Sequence, residues 1–200
     1  MQIRELAVPD AWEITPVQWK DDRGLFLESF RHDLLAEATG RAFELRQANV
    51  SVSRKGVVRG IHFADTPPGQ AKYVSVTRGA GIDFIIDIRV GSPTFGTWDS
   101  VVLDAESRHS VFISEGLGHA FAALADDTTL TYLVSSPYNP ALEHDLNVLD
   151  PDIGLVFPAE LGDPVLSPKD LAAPSLAELV AAGTLPDYRA LRAHYSRAVA

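Results

Sequence analysis

The 200-residue chain contains no cysteine. Disulfide staples, thiolate nucleophiles and cysteine-ligated zinc are therefore excluded, and any catalysis falls to oxygen and nitrogen groups. Basic residues are also scarce: 17 Lys and Arg stand against 27 Asp and Glu, for a formal charge of -10 and a pI near 4.9. Nucleic-acid and anionic-membrane surfaces need a basic face, so neither partner is expected and any phosphate site must be local. The first thirty residues hold no uninterrupted apolar core of signal-peptide length, and no later run approaches the roughly 18 to 20 residues of a membrane span. A cytoplasmic location is the expectation. There is no Gly-rich phosphate loop, no βαβ alternation and no internal repeat, which argues against a nucleotide-binding α/β fold. The close His-x-His pair of many metal-binding barrels is missing too, because Gly60 and Ala64 flank His62. No metal site is expected.

What is present is a core-forming composition, 46% hydrophobic, enough for one domain spanning residues 1–200. Two short apolar runs, 12–15 and 25–30, flank the turn-like Asp21-Asp22-Arg23-Gly24 and predict an N-terminal hairpin. Leu34, Leu35 and Ala38 at helical spacing, with Gly40 as a stop, predict a helix over 31–40. From 43 to 136, short β-branched and aromatic runs are punctuated by Gly, Pro, Asn and Asp every eight to twelve residues or so, the rhythm of a sandwich or barrel. Over 82–90, Ile82, Phe84, Ile86 and Ile88 share one strand face, and Asp83, Ile85, Asp87 and Arg89 share the other, a mixed face that is not simply solvent. After Pro137 the chain becomes Pro- and Asp-rich, with loops and short helices expected over 137–200. Ser175 and Glu178 have capping-box spacing for a helix that Gly183 ends, and 187–197 is a further helix candidate.

The stretch 59–76, RGIHFADTPPGQAKYVSV, concentrates the chemistry. Arg59 and His62 precede a Thr-Pro-Pro-Gly turn, Lys72 follows it, and Val57, Val58, Val74 and Val76 carry a strand pattern on either side. One imidazole between two cations suits an anionic substrate that must lose a proton. Taken singly, His62 and His119 read as hydrogen-bonded structural histidines more often than as catalysts. The cations shift that balance for His62 alone. Lys and Arg are usually solvated charges, and Arg23, in its turn, divides evenly between that reading and a functional one. Tyr132 lies in a strand pattern and reads as core, Tyr138 lies in a Pro-flanked turn, and Asp170 is a loop carboxylate able to cap the helix beyond it.

Taken together, RGIHF, PPGQAKYVSV, DFIIDIRVGSPTFGTW, ISEGLGHAF, TYLVSSPYNP and LSPKD resemble the dTDP-4-dehydrorhamnose 3,5-epimerase family, in order, from about Trp12 to Asp170. GVVRGIHF, AKYV, GHAF and LPDY are similar to the branch found in antibiotic deoxysugar pathways. The resemblance implies an all-β, cupin-type jelly roll with short flanking helices. It also implies a homodimer that exchanges N-terminal strands, a dTDP-linked 4-keto-6-deoxy sugar as substrate, and neither metal nor cofactor. By motif position, His62 is the expected base, Asp170 its orienting partner, Tyr132 the opposing acid and Lys72 the enolate stabiliser. Arg59 and Arg23 are expected on the diphosphate. Phe26, Glu28, Gln47, Asn49, His119 and Tyr138 are expected to frame nucleotide and sugar. The expected reaction is inversion at C3, with double inversion at C3 and C5 as the alternative. A 3,4-ketoisomerase and a non-catalytic sugar-binding cupin are the rivals. The chain departs from the family pattern at GLGHAF, at LNVLDP and at Phe157-Pro158, where a Trp is usual, and these departures point to a remodelled sugar pocket.

Overall fold

Alternating apolar and polar residues build two antiparallel sheets in the computed structural model, which describes residues 1–198, with side chains through Tyr195. The last two residues of the expected 1–200 domain lie outside the described residues. The strands are β1 (Gln2–Glu5), β2 (Ala11–Thr15), β3 (Gln18–Asp21), β4 (Gly24–Leu27), β5 (Gln47–Ser53), β6 (Val58–Ala64), β7 (Lys72–Arg78), β8 (Ala80–Ile86), β9 (Trp98–Asp104), β10 (Ser110–Ile113), β11 (Gly118–Ala123), β12 (Thr128–Val134) and β13 (Glu143–Asp145). Helices α1 (His32–Thr39), α2 (Pro168–Leu171), α3 (Leu176–Ala182) and α4 (Tyr188–Ala198) flank them. One sheet runs β1-β2-β10-β7-β12-β5 and the other β13-β6-β11-β8-β9. Sequence-distant strands thus lie side by side, as in a jelly roll. Among the described residues no helix is long and apolar enough to cross a membrane.

Each sheet buries both faces for part of its length. Val74, Val76, Ile85, Leu103, Val111, Phe121 and Leu130 fill the space between the sheets. The outer face of the five-stranded sheet, including Ile61, Phe63, Phe84, Ile86 and Ala120, is covered by Leu146, Val148, Ile153, Leu161, Leu176 and Leu179 from the C-terminal third. The Pro-rich loops therefore form a lid on the sheet's back. The outer face of the six-stranded sheet packs Trp12, Tyr73 and Phe112 against Leu35 of α1 and Phe43. Helix α1 stops where Gly40, at φ 74°, donates its N–H to Ala36. Helix α3 starts with the expected reciprocal capping box between Ser175 and Glu178, an arrangement commonly worth about 1 kcal/mol.

Three expectations are corrected. The 12–15 run does not pair with 25–30: it sits between β1 and β10, because Trp12 and Ile14 are drawn into the core. The hairpin is instead β3–β4, turning at Asp22 and Arg23, and it joins neither sheet. The β structure is not confined to 43–136, since β1, β2 and β13 join the sheets. The strand expected over 82–90 ends at Ile86. Beyond it, Asp87 accepts hydrogen bonds from Arg89, Ser92 and Thr94 and turns the chain, while fully buried Arg89 also reaches Asp10 at 2.6 Å.

Candidate active site

The site begins with a register fault. Along β6, Arg59 faces Phe121 of β11 and His62 faces His119, so three residue steps on one strand match two on the other. Arg59 and His62 have opposite parity and would point to opposite faces of a regular strand. The extra residue makes a bulge, and both side chains come to line one cavity between the sheets, while Val58, Ile61 and Phe63 all face the outer core. Gly60 sits in the bulge at φ 108°, where a Cβ would stand 2.5 Å from the His119 carbonyl oxygen. Only glycine fits there without displacement.

His62 is oriented from the C-terminal third. Its Nε2 lies 2.8 Å from Asp170 Oδ1, and Ser167 Oγ donates to Asp170 Oδ2 at 2.7 Å. Asp170 is not a loop residue that caps the next helix. It occupies the first turn of α2, whose cap is Ser167. Burial pushes the Asp170 carboxyl up, but hydrogen bonds from His62 and Ser167 outweigh it and hold the group below the ordinary carboxylate range. An ionised Asp170 only accepts, so Nε2 carries the imidazole proton and Nδ1 keeps its lone pair.

The facing sheet brings Lys72 and Tyr132. Along β7, Lys72, Val74 and Val76 point inward and Tyr73 outward, and Tyr132 of β12 lies opposite Val74 on one side and Asn49 of β5 on the other. His62, Lys72 and Tyr132 line both an inner cavity of about 170 Å³ and an adjoining one of about 230 Å³. Arg59 and His119 belong to the inner one, Asn49 and Tyr138 to the outer. A third hollow of about 400 Å³ continues past Tyr138 and Glu143. Burial lowers the Lys72 pKa, opposed by the charges of Glu143 and Asp83. Burial raises the Tyr132 pKa, with Arg59 acting against it. Gln47 donates to Asn49 at 2.6 Å and accepts from the Tyr138 backbone at 3.0 Å.

Arg23, Phe26 and Glu28 are not brought to this cavity within one chain. Arg23 is 90% exposed and paired with Asp21, Phe26 lies 5.8 Å from Trp19 on the free hairpin, and Glu28 pairs with Arg31 at 3.2 Å. Conversely, several residues at the site escaped the sequence reading. Asp83, from the mixed face of β8, is fully buried against His119 at 2.7 Å. Ser51 lines the inner cavity, and Gln70, Glu143, Asp145 and Lys169 line the outer one. Only Asp83 left a signal, an acid in an apolar strand. The nearest approach to a metal-ligand set among the described residues is His62, Asp145 and Asp170, whose ligand atoms lie within 4.8 Å of one another. Lys169 Nζ, 3.0 Å from Asp145 Oδ1, already places a cation there, so the group is a cluster of paired charges.

A sequence model described as dTDP-4-dehydrorhamnose 3,5-epimerase matches residues 5–178. The chain belongs to the dTDP-4-dehydrorhamnose 3,5-epimerase family. A member from Mycolicibacterium smegmatis, a dTDP-4-dehydrorhamnose 3,5-epimerase, is 55% identical over 188 residues, 94% of this chain and 92% of the relative. A dTDP-4-dehydrorhamnose 3-epimerase of Streptomyces niveus is 52% identical over 193 residues, 96% of this chain and 92% of the relative. Among solved members, ChmJ, a 3'-monoepimerase from Streptomyces bikiniensis in complex with dTDP-quinovose, superposes with a TM-score of 0.94 at 46% identity over 98% of each chain. At the departures from the family pattern, Leu117, Val148 and Phe157 line neither the inner nor the outer cavity. Phe157 packs on Phe84 at the back of the sheet, Leu117 is in the core between the sheets, and Val148 is in the outer core.

Proposed function

We propose that this chain is a cofactor-independent epimerase that inverts C3 of dTDP-4-keto-6-deoxyglucose in deoxysugar biosynthesis. One observation carries the reading: a carboxylate-oriented histidine on one sheet and a tyrosine on the other line the same cavity, with a lysine beside them. The C4 ketone acidifies the hydrogen on C3. His62 Nδ1 takes that proton, the C3–H electron pair moves into the enolate, and the negative charge on O4 meets the Lys72 ammonium. Stabilisation of this kind is commonly worth about 3 to 4 kcal/mol. Tyr132 then gives its phenolic proton to C3 from the opposite face. Solvent takes the proton from the imidazolium and restores the one on the phenolate. The ketone does the activating, so the route uses neither metal nor cofactor.

Arg59 contacts the diphosphate, and Gln47, Asn49, His119 and Tyr138 frame the nucleotide and sugar. Arg23, Phe26 and Glu28 reach the cavity of a second copy in a homodimer that exchanges N-terminal strands, in the cytoplasm, with neither nucleic acid nor membrane as partner. Two features favour that assembly. The β3–β4 hairpin joins neither sheet of its own chain, and edge strand β5 turns Val50 and Val52, 65% and 59% exposed, outward. The test of the base is His62→Asn, which preserves size and polarity. Hydrogen exchange at C3 is expected to fall by about 10²- to 10⁴-fold, while dTDP binding by calorimetry stays near wild type. Retained exchange would rule His62 out as the base.

A further inference from the structure

Asp170 is one of two carboxylates that face the His62 ring. Strand β13 runs antiparallel to β6 with Asp145 directly opposite His62, so the two side chains are cross-strand neighbours on one face. Asp145 Oδ1 stands 3.5 Å from Nε2, the nitrogen that Asp170 holds at 2.8 Å. At that distance Asp145 is no strong second acceptor, but in a partly buried site it acts on the ring by charge. It is itself held by Lys169 Nζ at 3.0 Å, and that ion pair raises the Lys169 pKa. Lys169 adjoins Asp170 in sequence, so α2 delivers both the carboxylate that orients the ring and the cation that offsets the second carboxylate.

We propose that Asp145 is a positioning residue that tunes, through His62, how firmly the imidazole holds a proton, with Lys169 offsetting part of its effect. The inference rests on the reading of His62 as the base. A base that must both take a proton and release it to solvent is served by intermediate affinity. With His62 protonated, the set His62, Asp145, Lys169 and Asp170 is electrically neutral; with it neutral, the set carries one net negative charge. Removing a proton from the substrate therefore discharges the cluster as the enolate charge develops beside Lys72. Glu143 on β13, Arg59 on β6, Lys72 on β7, Tyr132 on β12 and the His119–Asp83 pair on β11 and β8 also face the cavity. They are common to all variants compared below.

The test is an NMR titration of ¹⁵N-labelled histidine in the unliganded protein, with the His62 signals assigned by their loss in His62→Asn. Asp145→Asn is expected to move the His62 midpoint down by about 0.5 to 1 pH unit, and Lys169→Gln to move it up by a similar amount. The acid limb of the pH profile of kcat/KM for C3 exchange should follow in the same directions. A merely structural role would not produce opposite shifts. Shifts below about 0.2 unit in both variants, or in the same direction, overturn the proposal. Lys169 is 61% exposed, and if Asp145→Asn does not fold, Asp145→Ser supplies the downward shift against which Lys169→Gln is read. The titration needs no substrate: a wild-type protein that exchanges no hydrogen would sink the base assignment and leave this coupling separately measured.

Discussion

Lys72 and Tyr132 share a cavity, yet their surroundings shift them in opposite directions. Burial lowers the lysine, against Glu143 and Asp83, and raises the tyrosine, against Arg59. In the proposed reaction both groups act protonated, and the Lys72 ammonium is lost as pH rises through a value below the ordinary lysine 10.5. A basic limb of the kcat/KM profile set by Lys72 should persist in Tyr132→Phe, at reduced amplitude, and disappear in Lys72→Met, whose rate falls about 10²- to 10³-fold. A pH series on the two variants checks the assignment; a limb that vanishes with Tyr132 instead would reverse it. At this scale the sequence was legible where chemistry is concentrated in one segment: Arg59, His62 and Lys72 announce themselves within fourteen positions. Asp145 left no signal and Asp83 only that of an acid in an apolar strand, because their relevance arises from the cross-strand pair Asp145↔His62 and the side-chain contact Asp83–His119, which local spacing does not encode.

The β6 bulge converts a strand into part of a site. Gly60→Ala places a Cβ 2.5 Å from a carbonyl oxygen at φ 108°, and strain of this kind commonly costs about 1 to 3 kcal/mol. Because the bulge is what turns Arg59 and His62 to one face, the variant should lose activity beyond its loss of stability. A thermal melt and an exchange rate measured below the variant's melting temperature separate the two; wild-type exchange in folded Gly60→Ala would contradict the role given to the bulge. Strand β5 carries the opposite lesson. Its sequence QANVSVS alternates cleanly, but Asn49 and Ser51 line the cavities while Val50 and Val52 face outward. Alternation locates the two faces, and only the neighbouring strands decide which is inside. The expected 12–15 hairpin partner failed for the same reason, since β2 is bound by the distant β10.

For the whole molecule, a sandwich or barrel was legible because turn residues recur at strand-length intervals, its jelly-roll form only through the family resemblance, and α3 because its capping residues are local. The back-side packing of 146–185 was not, since its apolar residues are scattered among prolines and gain meaning only against the sheet. Strand exchange is tested by mixing two inactive proteins, Arg23→Ala and His62→Asn, and refolding them together. Each hybrid dimer would hold one site with both residues intact, so random pairing should restore about a quarter of wild-type activity. Absence of recovery, with dimers verified by light scattering, would confine each site to one chain. The central claim, reversible deprotonation next to a ketone, is tested most directly by incubating the protein with dTDP-4-keto-6-deoxyglucose in deuterated water and following the sugar by NMR. The account predicts deuterium at C3 with inversion of that centre, and label at C5 as well would identify a double epimerase. No deuterium at either carbon would contradict it.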